Sequence, residues 1–224
     1  RMSDAEAIRS ETVKLKEQVE YWENQSKEAD QQVSNLQAFV QKDAHQQLLY
    51  TYGRINHLSV DLEIESMGSV RIELFDDTPF AVWALLSQID EGDWSGSHFV
   101  SRSEHKLVAS PNKAPTTVAE LDFAEASELV GGKWNVGLAL SGSYTNDGSN
   151  CYTLFFDMRE KPLESEEDSS NTGAYVGKVV RGSDVLEQIL KMETKTTPSG
   201  EEIFDPPVAI SEVSHYPPRA GKEK

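Results

Sequence analysis

The sequence predicts a mostly β domain, a closed barrel or a β-rich α+β fold, preceded by one long α-helix of coiled-coil type. Three observations predict it. Between Ser3 and Tyr50 there is neither Pro nor Gly, and apolar residues recur every seven positions. From Asn56 the period changes to two, in short runs divided by Gly, Ser, Asn and Pro. Only two later segments have helical spacing. The expected division is a coiled-coil helix over 1–52, a linker over 53–56, the β domain over 57–216 and a disordered tail over 217–224.

The helix comes first. Glu, Gln, Lys and Ala dominate it, and these residues lose little side-chain freedom in a helix. Ile8, Leu15, Trp22, Ala29 and Leu36 form one seven-residue series; Thr12, Val19, Ser26, Val33 and Val40 form a second, four residues later. Together they make the narrow seam of a coiled coil over about four to five heptads. Thr12, Ser26 and Ala29 weaken it. Such a seam suits a partner helix or a second copy better than a globular core, although a helix folding back on its own domain uses the same stripe. With so few apolar residues the helix needs something to pack against.

Gly53 is placed to end that helix. His57 to Glu65 then alternates, with Leu58, Val60, Leu62 and Ile64 on one face, and Val70 to Phe75 alternates again after the turn at Met67-Gly68-Ser69. This reads as a β-hairpin with one buried face. Asp76-Asp77-Thr78-Pro79 is a helix start, a capping side chain before Pro in the first turn, and Val82, Leu85, Leu86 and Ile89 carry the helix to Gly92. Strands are expected at 98–100, 106–109, 135–140, 152–158 and 174–180. A second helix is expected over Ser183–Met192, and a last strand over Pro207–Val213.

Charge and composition bound the function. The 224 residues carry 38 acidic and 21 basic side chains, a net charge of -17. A phosphate backbone or an anionic membrane is repelled by such a surface, so neither is an expected partner. No apolar run approaches the length of a membrane span. The one cysteine, Cys151, leaves no internal disulfide to form. Because the chain opens on Arg1, it reads as shortened at its N-terminus. A removed targeting or membrane-anchor segment fits that reading and leaves the compartment open.

The order of elements resembles the cyclophilins, the peptidyl-prolyl cis-trans isomerase family. Val70 to Pro79 is similar to the family's early strand and Pro-started helix. Val176-Gly177-Lys178-Val179-Val180-Arg181-Gly182-Ser183-Asp184-Val185-Leu186 resembles its "FGKVxxGxDVL" passage. Asn135 to Gly142 resembles "GxLSMANAG" and Thr153 to Phe156 resembles "SQFFI", both degraded. The resemblance runs from about His57 to Val213 and implies an eight-stranded barrel capped by two helices.

It also implies a test. Prolyl isomerisation needs a shallow apolar groove for the proline ring and a guanidinium that favours the twisted amide, with no cofactor and no nucleophile. The family's catalytic Arg position falls on Ser101, and Arg102 comes one place late, on the opposite face of a strand unless a bulge re-aims it. The apolar Phe of "GFMxQGGD" becomes Lys106 and its Gln becomes Ala109. The Asn of "MAN" becomes Leu140, and the Gln of "SQFF" becomes Leu154. The stretch 161–173, where the family has a groove Trp and His, holds neither. The groove positions on this alignment are Phe99, Leu107, Ala109, Ala139, Leu140, Leu154 and Phe156; plain barrel core is the competing role for Phe99, Leu107, Ala139 and Phe156. No residue is confidently catalytic. The expectation is a catalytically impaired, cyclophilin-like protein-interaction domain on a coiled-coil stalk, with a divergent but active isomerase as the alternative and a protein or proline-containing peptide as partner.

Other chemistries find no foothold. His45, His57, His98, His105 and His215 are scattered, without ligand spacing for a metal. Ser141-Gly142-Ser143 is not a nucleophile elbow. Val130 to Lys133 lacks P-loop spacing, and the acidic run 164–168 lacks calcium-loop spacing.

Overall fold

The computed structural model describes residues 2–53, 58–112, 125, 132–141, 151–160, 173–198 and 201–217. The acidic run 164–168, the 161–172 stretch, Ser143, Val130, His57 and the tail beyond 217 lie outside these. The chain forms two compact units, residues 1–42 and 43–224.

The first unit is most of helix α1 (Met2–Tyr52). The heptad seam ends here for a visible reason: its next two positions are the polar Asp43 and Gln47. The last turns follow a different stripe, Ala44, Leu48 and Tyr52, and all three are buried within the second unit. Tyr52 Oη donates to Asp90 Oδ2 at 2.7 Å, and the same carboxylate lies 3.3 Å from His215 Nε2. Gly53 closes the helix at φ +83°, a left-handed conformation that glycine adopts without a Cβ penalty.

The second unit is an antiparallel barrel. Its strands are β1 (Ser59–Ile64), β2 (Gly68–Leu74), β3 (His98–Arg102), β4 (Lys106–Ser110), β5 (Asn135–Ser141), β6 (Cys151–Asp157), β7 (Ala174–Arg181), β8 (Thr194–Thr196) and β9 (Glu202–Tyr216). They hydrogen-bond in the order β1-β2-β7-β5-β6-β4-β3-β9, and β9 pairs back with β1. Eight strands thus close with no free edge, which removes the unpaired backbone groups an open sheet exposes. The short β8 pairs only with β9 and went unread in the sequence, since Thr194-Lys195-Thr196 has no apolar alternation.

The hairpin β1–β2 pairs Val60 with Ile72 and Leu62 with Val70, the alternation expected of one buried face. Following register around the sheet, Ile72 lies opposite Val179, Leu74 opposite Gly177, and Gly177 opposite Val136. These residues face the barrel interior, and with them Leu138, Leu154, Phe156, Leu107, Ala109 and Phe99.

Helix α2 (Pro79–Glu91) packs against β7 and β9, and α3 (Ser183–Ile189) against β2. The start of α2 departs from expectation. Thr78 precedes the helix but makes no capping bond; its hydroxyl donates to the Tyr175 carbonyl at 2.8 Å. The cap is the buried Glu125, whose two carboxylate oxygens accept from Phe80 N at 3.0 Å and Ala81 N at 2.8 Å. Its two oxygens satisfy two of the orphan donors of the first turn. A residue 44 positions away from Ala81 serves as its cap, so no local pattern announces it.

Candidate functional site

A groove for a peptide must be reachable from solvent, so in a packed barrel it lies on the outer face. The strand register decides which side chains stand there.

Strand β3 carries a bulge. Phe99 lies opposite Ala109, yet Ser101 lies opposite Val108 and Arg102 opposite Leu107; against β9 the register also breaks here, but the extra residues are on β9, between Ile203 and Val208. One extra residue at Val100 reverses the facing of everything after it. Ser101 therefore shares the outer face with Val108, and Arg102 shares the side of Leu107. There the Arg102 guanidinium is held: it donates to the Glu202 carboxylate and the Leu190 carbonyl, with Nη2 3.4 Å from Thr194 Oγ1.

The seven groove positions read from the sequence separate accordingly. Phe99, Leu107, Ala109, Leu154 and Phe156 all sit wholly buried on the interior side, with the Phe99 and Phe156 rings 5.7 Å apart. Ala139 is opposite Thr153, on the outer face. Leu140 is opposite Tyr152 in register, its side chain outside the described residues.

The outer face of β3, β4, β6 and β5 is lined instead by Ser101, Lys106, Val108, Phe155, Thr153 and Ala139. Sequence comparison missed Phe155 because Phe155-Phe156 offers two phenylalanines and a shift of one residue exchanges their roles. Gly137 is the signal that could have found it. A Cβ there would stand 2.0 Å from the Phe155 ring, so glycine opposite an aromatic marks the face on which that ring lies flat.

This face is occupied by its own side chains. Lys106 Nζ sits 4.7 Å above the Phe155 ring centre, a cation–π contact. Burial pulls the Lys106 ammonium below its usual pKa, and the Arg159 charge adds to this, while Asp157 pulls the other way. Phe155 also meets Tyr175 edge-to-face at 5.6 Å. Beside them Asp157, with no exposed side chain, binds Arg159 at 2.6 Å and accepts from Tyr175 Oη at 2.8 Å. Burial pushes the Asp157 carboxyl up, but its bonds from Arg159 and Tyr175 outweigh this and hold it below the ordinary carboxylate range. Burial first, then Asp157, raises Tyr175 well above the usual phenol value. Ser101 is buried at 1% exposure and Phe155 at 2%, so neither offers an open pocket floor.

Among the described residues, no three His, Cys, Asp or Glu gather closely enough to hold a metal ion. No described helix is long and apolar enough to cross a membrane.

No family model and no curated protein matches this sequence. Solved structures do. A cyclophilin-type peptidyl-prolyl cis-trans isomerase from Cryptosporidium parvum superposes with a TM-score of 0.50 at 16% identity, covering 71% of this chain and 98% of the other. The cyclophilin of Mimivirus gives a TM-score of 0.44 at 16% identity over 71% of this chain and 88% of its own. The barrel is cyclophilin-like in fold, with a long helix before it.

Proposed function

We propose that the chain is a cyclophilin-fold interaction module that does not accelerate Xaa-Pro isomerisation, carried on a helix that pairs with another helix. One observation carries this reading: the outer face where a proline ring would lie holds Lys106 stacked on Phe155. Displacing the ammonium costs the cation–π contact, about 0.5–2 kcal/mol. The missing donor weighs more. A positioned transition-state donor is typically worth about 10²–10³-fold in rate, about 3–4 kcal/mol. Ser101 stands where the resemblance puts the arginine, Arg102 is engaged by Glu202, Leu190 and Thr194, and Arg159 by Asp157 and Tyr175. Both guanidinium groups are thus already held by carboxylates, Arg159 beside Lys106 and Arg102 on the side of Leu107.

The test is isomerisation of an unstructured Xaa-Pro peptide by the full chain and by Ser101→Arg. No acceleration by the parent supports the reading, and a gain in the variant locates the loss in the donor alone. Clear acceleration by the parent overturns it in favour of a divergent isomerase.

A further inference from the structure

Helix α1 exposes apolar side chains that a stable helix in water does not leave bare: Val13, Leu15, Val19, Trp22, Val33 and Leu36 are each more than half exposed. The spacing fixes which of the two series is which. The step from Leu15 to Val19 is four residues and from Val19 to Trp22 three, so Thr12, Val19, Ser26, Val33 and Val40 occupy a, and Leu15, Trp22, Ala29 and Leu36 occupy d. Four of the five a residues are β-branched; at d, Leu15 and Leu36 are γ-branched, and the β-branched Ile8 falls at the N-terminal end of the series. β-Branched residues at a with Leu at d are the combination that packs two parallel strands, because each then enters its hole in a favoured rotamer.

We infer that the occupant of this seam is a second copy of the chain, joined through α1 as a parallel, in-register two-stranded coiled coil; this rests on the interaction-module reading above. Two further observations point the same way. The helix surface carries a depression lined by Thr12, Leu15, Lys16, Val19, Glu20 and Glu23. The first four are the a, d, e and following a positions, the set that bounds the hole for a d-position knob, here Leu15 of the other helix. Charge agrees as well. In this register Glu11 at g meets Lys16 at e of the other helix, while Gln18, Gln25 and Gln32 at the later g positions meet Glu23, Asp30 and Gln37. No like charges face each other along these rows, which matters in a chain with net charge -17. Volume is balanced too: the paired indoles of Trp22 have the small Ser26 and Ala29 as the next seam residues.

The experiment uses the full chain with Cys151→Ser, carrying either Val19→Cys or Val33→Cys, in oxidative cross-linking alongside sedimentation equilibrium. The two sites are 14 residues apart on α1, about 21 Å along the axis. Only a parallel, in-register pair brings both onto their own copies. The expected result is twice the 25.0 kDa chain mass and a disulfide-linked dimer from both variants. A dimer that cross-links at one site or neither overturns the parallel register, and a trimer or larger species overturns the two-stranded form. A monomer overturns the second copy as occupant. The peptide assay above is independent of all these outcomes and tests the non-catalytic reading on its own.

Discussion

Leu154 and Leu36 are the same residue in opposite circumstances. Leu154 is wholly buried between β4 and β5, whereas Leu36 on α1 is 65% exposed. Burying a leucine fully is worth about 1.5–3 kcal/mol. The barrel collects that gain inside one chain, so its strands need no partner. Residues 12–40 of α1 hold comparable apolar side chains and collect almost none of it within their own unit. The same chain therefore contains one region that buries its apolar side chains within itself and one that leaves them exposed, which is what the proposed pairing of α1 would cover.

The largest effect should come from breaking the self-buried region. Phe156→Ala removes a ring packed on Phe99 in the barrel interior. The expected loss is about 3–5 kcal/mol, read as a lower urea midpoint with the slope unchanged. A loss under about 1 kcal/mol would mean that the interior is less tightly packed than described.

A smaller effect concerns the buried charge. Asp157 has a folded pKa below its unfolded value, so its stabilisation is full above the unfolded carboxylate pKa near about 4 and is lost as pH falls through the lower folded value. Asp157→Asn should flatten that acid limb and destabilise at neutral pH, because Arg159 is then left partly buried without its partner. Stability of the parent and variant measured from pH 7 to 3 decides it; two parallel curves would remove Asp157 from the explanation.

The smallest effect on folding is expected at the seam. Leu36→Ala should leave barrel unfolding within about 0.5 kcal/mol of the parent. In the same protein it should weaken self-association, measured by sedimentation. Equal losses in both would erase the distinction between the two regions.

Most of the element order was legible in the residues. The hairpin, α2, the β7-to-α3 passage and the final strand all show a period, a Gly or a Pro at the right place. Helix α1 was legible too, although the expected coiled-coil span ran to residue 52 and passed over Asp43 and Gln47, which break the heptads. The site was much less legible. β6 is buried on both faces from Tyr152 to Asp157, so its sequence shows no alternation to say which phenylalanine faces inward. A period of two carries no directional information once both faces are apolar.

The sequence by itself determined the long helix with its seven-residue apolar repeat and the strands that alternate, though not β8 or the facing of β6. Those are local consequences of side-chain spacing. Only the tertiary structure decided the facing of β3 beyond the bulge at Val100, the engagement of Arg102 by Glu202, Leu190 and Thr194, and the capping of α2 by Glu125. Each of these joins residues distant in the chain, and their geometry exists only after the barrel has closed.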